Sequence, residues 1–130
     1  MTTANPTDPI PVYPKVWGEE HWIVNLDYCG KKLVLRRGHR CSVHHHKVKD
    51  ETFYVIGGRV LLELGDTARV LVPGDKAHVA IGQKHRFTGL RDSEIIEFST
   101  HHIEDDSYRD TESGRVDDDE FAELLRKHGA

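Results

Sequence analysis

From Val16 to Phe98 apolar and polar positions alternate in short runs, each closed by Gly, Asp or Lys. The runs are Trp22–Tyr28, Lys32–Arg36, Cys41–His46, Glu51–Ile56, Arg59–Leu64, Thr67–Val72, His78–Ile81, Arg86–Leu90 and Glu94–Phe98. Alternation with period two over so few residues predicts half-buried strands, and a succession of them with closely spaced turns predicts an all-β sandwich or barrel. Gly57-Gly58 and Gly65-Asp66 sit between consecutive runs as hairpin turns. A helical pattern appears only near the C-terminus, where Phe121, Leu124 and Leu125 share one face. Asp118 or Asp119 is the expected N-cap, Arg126, Lys127 and His128 suit the negative end of the helix dipole, and Gly129 ends it. This helix is expected to pack on the outside of the barrel.

The flanks have their own character. Residues 1–14 hold Pro6, Pro9, Pro11 and Pro14, which have no amide proton for a sheet ladder, so they are expected to form an extended or disordered arm. The barrel is expected over residues 15–103, followed by an acidic tail segment and the helix over 104–130. Residues 104–123 carry ten of the 22 carboxylates, with only Arg109 and Arg115 among them.

Composition narrows the classes. At 130 residues the chain is one domain, and its net charge of −4 without a dense basic stripe argues against a nucleic-acid partner. No apolar run approaches the roughly 20 residues of a membrane-spanning helix. Cys29 and Cys41 are the only cysteines and are expected to be free thiols of a cytoplasmic protein.

Ten histidines stand out in a chain of this length. His44 and His46, two apart in a strand, project to one face, which sends His45 outward. Glu51 opens the next strand where its carboxylate can close on the same point, and His85 begins a later one. Three imidazoles and one carboxylate form a ligand set for a first-row divalent ion, leaving a net charge of +1 and open positions for substrate.

The spacing of Gly38, His44, His46, Glu51 and Gly58 resembles the first motif of the cupin superfamily. A degraded second motif follows in Gly74, Ala80 where proline is usual, Gly82, His85, and Gly89 where asparagine is usual. The resemblance implies a double-stranded β-helix, or jelly-roll barrel, with a short C-terminal helix. It also implies one divalent transition metal ion (Zn, Mn, Fe, Co or Ni) on His44, His46, Glu51 and His85. The ends look like the cupin domain of type II phosphomannose isomerases, through Lys15-Val16-Trp17-Gly18, Glu97-Phe98-Ser99-Thr100, the stretch from Glu104 to Arg109, and Ser113-Gly114-Arg115. That resemblance implies isomerisation of an aldose and a ketose, free or phosphorylated, by proton transfer through a metal-stabilised enediolate.

Such a reaction needs a base and cations for an anionic ligand. Glu97 interrupts an apolar strand and is the leading base, with Glu51, Lys49 and His102 as alternatives. Arg36, Arg86, Arg109 and Arg115 are the candidates for holding phosphate or carboxylate. Trp17 and Trp22 are expected in core packing or a dimer contact, with stacking on a sugar ring as the alternative. The expected partner is a small hydroxylated, anionic ligand. A homodimer is expected through outward apolar positions such as Tyr54, Val60 and Leu62. Two other classes remain open: a non-catalytic sugar-binding or regulatory protein, and a non-haem metal dioxygenase.

Overall fold

A computed structural model describes residues 6–129. Thirteen strands and one helix follow in chain order. The strands are β1 (Val12–Lys15), β2 (Gly18–Asn25), β3 (Tyr28–Leu35), β4 (His39–Arg40), β5 (His44–His45), β6 (Glu51–Gly57), β7 (Val60–Leu64), β8 (Thr67–Leu71), β9 (Lys76–Val79), β10 (His85–Gly89), β11 (Ser93–Thr100), β12 (Tyr108–Arg109) and β13 (Gly114–Arg115). The helix α1 spans Asp118–His128.

The strands form two antiparallel sheets. One runs β1-β2-β3-β11-β6-β9, and the other runs β12-β5-β10-β4-β13 with β7 also on β10 and β8 on β7. Alternation sends one side chain in two toward the facing sheet. Along β11, Ser93, Ile95 and Glu97 are buried while Phe98 is exposed. Leu33, Leu35, Phe53, Val55 and Ile95 meet Val60, Leu62, Leu71 and Phe87 between the sheets, and Trp17 seals one end edge-on against Phe87. This is a jelly-roll sandwich of the double-stranded β-helix kind, all-β but for one helix.

α1 lies on the outside. Glu120 pairs with Arg40 at 2.7 Å, the His128 carbonyl accepts from Arg59 at 2.8 Å, and Phe121 lies under the Arg37 guanidinium. The cap falls one residue before the first expected one: Asp117 holds the N-cap position without a side-chain bond, and Asp118 is already helical. No helical residue is fully buried, although Phe121, Leu124 and Leu125 are half-buried.

Five features depart from the pattern reading, the first being that the run Trp22–Tyr28 is divided between β2 and β3 by a bend at Leu26 and Asp27. Val12–Lys15, mostly within the proline-rich arm, is an edge strand on β2, where Pro14 deprives no inner strand of a donor. Residues 1–5 lie outside the described residues. The single run Cys41–His46 is broken, because the Ser42 and Val43 amides donate to Ser113 Oγ and Thr111 Oγ1 instead of to a strand. Those acceptors belong to the acidic tail, which also adds β12 and β13 to the second sheet. Finally, Val60 and Leu62 are core residues at 1% exposure, whereas Tyr54, Ile56 and Phe98 lie exposed on the outer face of the first sheet.

Gly58, between β6 and β7, sits at φ +85° against β11, where a Cβ would collide with Ser93 Oγ and the Asp92 carbonyl oxygen. Gly89 is similarly confined, with the Arg36 carbonyl oxygen 2.7 Å from where a Cβ would lie, so no larger residue fits there. Gly74 has φ +96° but open space around it. Gly58→Ala is therefore expected to cost roughly 2–4 kcal/mol in urea unfolding, against about 1 kcal/mol for Gly74→Ala.

Candidate metal centre

The centre forms where β5, β6 and β10 face one another. His44 is the direct cross-strand partner of His85, and Glu51 begins β6 across the gap between the sheets. Ring nitrogens of His44, His46 and His85 lie within 4.8 Å of one another. Each ring is oriented through its other nitrogen: Nδ1 donates to the Ser42 carbonyl at 2.7 Å, the Asp106 carbonyl at 2.6 Å and the Gln83 carbonyl at 2.9 Å, respectively. A carbonyl only accepts, so all three rings carry their proton on Nδ1 and present an Nε2 lone pair.

Glu51 faces those lone pairs. Its Oε2 lies 3.2 Å from both His46 Nε2 and His85 Nε2. Oε2 and His85 Nε2 are buried without a hydrogen-bond partner, so two acceptors confront each other in the interior. A divalent cation among these four groups satisfies both, and the nitrogen and carboxylate donors suit a first-row ion. The residues present fit a metal.

Charge compensation continues along the wall. Burial would raise the Glu51 carboxyl, and the Lys49 ammonium beside its other oxygen opposes that. Burial opposes the charged form of Lys49 as well, but Glu97 and Glu51 overcome this and raise its ammonium. Lys49 Nζ stands 3.4 Å from Glu51 Oε1 and 3.2 Å from Glu97 Oε2, and Ser99 Oγ donates to the same Glu97 oxygen at 2.8 Å. Burial, reinforced by neighbouring His85, pushes His44 down to about 4, keeping it a neutral ligand. Cys41, whose Sγ accepts from the Phe87 amide, is pushed up to about 12 by burial and is inert. Both cysteines are free and buried.

These groups open into a cavity of about 440 Å³. His44, His46, Glu51, Lys49, Glu97, His102 and Arg109 line it. His102 Nδ1 accepts from the Lys31 ammonium at 3.1 Å, so that lone pair is already engaged. Arg36, Arg86 and Arg115 stand elsewhere. Arg36 donates to the Val16 carbonyl, Arg86 pairs with Glu63 at 3.1 Å near α1, and exposed Arg115 pairs with Asp118. Of the four arginines, only Arg109 borders the cavity, with no carboxylate paired to it among the described residues. Trp17 is buried in the core and Trp22 is half-buried; both border the cavity, and Lys31 lies over the Trp22 ring at 4.3 Å. His45 stacks on Tyr108 away from the centre.

A cupin domain model, Cupin_2, matches residues 32–99, more than half of the chain. The chain belongs to the cupin family. Of the segments on which the phosphomannose isomerase resemblance rests, the match takes in only residues 97–99. No curated protein is significantly similar in sequence to this cupin. Among solved structures it is similar to KdgF from Halomonas sp. at 25% identity and TM-score 0.63, covering 67% of this chain and 81% of that one. Ectoine synthase from P. lautus gives TM-score 0.69 at 13% identity, over 91% and 94% of the two chains. Oxalate decarboxylase from Bacillus subtilis gives 0.67 at 15%, over 77% of this cupin and 30% of that protein. At 13% and 15% identity, the latter two show the fold alone.

Asp106, Lys31 and Glu20 escaped the sequence reading. Lys31 was legible, since alternation along Cys29, Lys31, Leu33 and Leu35 puts it on the inward face. Asp106 was not, for its role is long-range. Its buried carboxylate accepts from the amides of Lys47 at 2.8 Å, Val48 at 3.2 Å and Lys49 at 2.9 Å, while its carbonyl holds His46. Burial would raise this carboxyl, and those three amides pull it lower. Asp106 is thus a positioning residue for the segment from His46 to Lys49. Asp106→Ala is expected to weaken metal binding roughly 10- to 100-fold in a chelator competition assay, with Asp106→Asn restoring part of the loss.

Proposed function

We propose that this cupin is a metal-dependent isomerase interconverting an aldose and a ketose, free or phosphorylated. The observation that best supports this is Glu97: a buried carboxylate at 4% exposure, bordering the same cavity as the three imidazoles and tied to them through Lys49 and Glu51. A metal held by His44, His46, His85 and Glu51 supplies Lewis acidity for the adjacent carbonyl and hydroxyl oxygens of the sugar.

The chain's own groups move the proton. Lys49 and Ser99 both engage Glu97 Oε2, leaving Oε1 to receive a proton from the hydroxyl-bearing carbon. The C–H electron pair becomes the new carbon–carbon π bond as the carbonyl π electrons move onto oxygen. The hydroxyl proton passes to the former carbonyl oxygen, and as the second carbon–oxygen π bond forms Glu97 returns its proton to the neighbouring carbon, completing the isomerisation. Lys49, held protonated by two carboxylates, stabilises charge on the oxygens beside it and orients Glu97. Arg109 is the cation at the mouth for an anionic group on the ligand. His102 holds Lys31 in place and is not the base in this scheme.

The protein is proposed to work in the cytoplasm as a homodimer that packs through the exposed Tyr54, Ile56 and Phe98. Among the described residues no helix is long and apolar enough to cross a membrane.

Metal-loaded protein incubated with aldoses and ketoses in heavy water is expected to place deuterium at the carbons flanking the transferred proton, read by NMR. Glu97→Gln is expected to slow that exchange roughly a hundred- to ten-thousand-fold without loss of bound metal. Stoichiometric metal with no deuterium in any sugar would sink the isomerase. Oxygen uptake would then favour a dioxygenase, and its absence a non-catalytic sugar-binding protein.

A further inference from the structure

Beyond the metal and its neighbours, the same cavity contains a second polar station that the proposed proton transfer does not use. Lys31, at 1% exposure, projects inward from β3 between Trp22 on β2 and Glu97 on β11, its cross-strand neighbours. It forms one hydrogen bond, to His102 Nδ1 at 3.1 Å, and an ion pair with Glu20 Oε1 at 3.6 Å, beyond hydrogen-bond range. Glu20 Oε1 also accepts from Trp22 Nε1 at 3.0 Å, whereas its Oε2 has only Lys15, at 3.9 Å. Burial would raise the Glu20 carboxyl, and Lys31, Lys15 and Trp22 hold it low.

A buried ammonium with one hydrogen bond for three donors is an expensive way to fill a barrel, and an apolar side chain would stabilise it better. The arrangement is also held in place: Asn25 brackets the His102 backbone from both sides, and His102 Nε2 turns to Glu104. What remains at the cavity wall is a donor on Lys31 beside an acceptor on Glu20, the complement of a hydroxyl, which needs one of each.

Charge determines what this station cannot take. In the inner cavity Glu20, Glu51 and Glu97 face Lys31 and Lys49, so a divalent ion leaves a net charge of +1. Proton transfer from the ligand to Glu97 moves charge within the site and leaves this total unchanged, too little to match a phosphate dianion. Arg109, which borders the cavity with no carboxylate paired to it among the described residues, is at the mouth.

We infer that Glu20 and Lys31 form a hydroxyl-reading subsite, so that the ligand enters with an uncharged polyol end innermost and any phosphate outward toward Arg109. This rests on the isomerase reading for the kind of ligand but not for turnover, because binding of an inert polyol tests it directly. Sorbitol and its terminal phosphate monoester serve as probes, titrated calorimetrically into metal-loaded protein. Sorbitol is expected to bind, and Lys31→Met and Glu20→Gln are each expected to weaken it about tenfold or more. Both variants should retain stoichiometric metal and the wild-type circular dichroism spectrum. Arg109→Gln is expected to leave sorbitol binding unchanged and to weaken only the phosphate ester.

No detectable sorbitol binding overturns the subsite, as does wild-type affinity in both variants. Tighter binding of the ester that depends on Lys31 rather than Arg109 overturns the proposed orientation and the subsite with it. If one variant fails to fold, the other decides. Lys31-dependent sorbitol binding without deuterium exchange would defeat the isomerase and leave the subsite standing, and exchange with Lys31-independent binding would do the reverse.

Discussion

A carboxylate sealed between two sheets has to be met by positive charge, and the interior of this cupin is organised around that demand at Glu51. At 2% exposure, with one oxygen lacking any hydrogen-bond partner, Glu51 would be costly beside apolar neighbours alone. Three imidazoles converge on it, each made a neutral lone-pair donor by a backbone carbonyl behind its ring. Lys49 takes its other oxygen, and because Lys49 is also buried, it needs Glu97 in turn. A candidate metal site, where a cation would meet Glu51, and the Lys49–Glu97 pair beside it thus arise from one constraint, each buried charge requiring the next.

The ligand-bearing segment cannot sustain that arrangement unaided. β5 is only two residues long, and the amides flanking it from Ser42 to Lys49 include five that donate to side chains of the tail. Thr111, Ser113 and Asp106 do the work that ladder carbonyls would do in a longer strand. The acidic tail is therefore the outer half of the candidate metal centre. Its carboxylates also divide by role: Asp106 is buried and fully engaged, while Asp118 and Glu120 serve the first turn of α1 and its contacts.

The strand core and the four candidate ligands were legible because both depend on local spacing. Alternation places His44 and His46 together, and the glycines mark turns that only glycine fits, as the crowding at Gly58 demonstrates. The same rule contained more than was drawn from it. With His85 and Phe87 facing inward on β10, Arg86 between them has to point away, toward Glu63. Lys31 was equally available. Val60 and Leu62 were misplaced because alternation names two faces without saying which is covered. The tail was illegible for another reason: Asp106 is defined by amides nearly 60 residues earlier, and no periodicity records such a pairing.

The similarity to KdgF, ectoine synthase and oxalate decarboxylase locates this chain in a fold that carries several chemistries, so the distinction must lie in the side chains lining the cavity. Here those side chains form a row across four adjacent strands, from Glu51 on β6 through Glu97 on β11 and Lys31 on β3 to Glu20 on β2. Carboxylates and ammonium groups alternate along the cluster, with Lys49 reaching in between Glu51 and Glu97. Such a row is coupled: neutralising one member strands the charge of its neighbour, so single substitutions report on the cluster rather than on one residue. Conservative amide replacements and measurements that separate metal, ligand and proton transfer resolve it where alanine scanning would not.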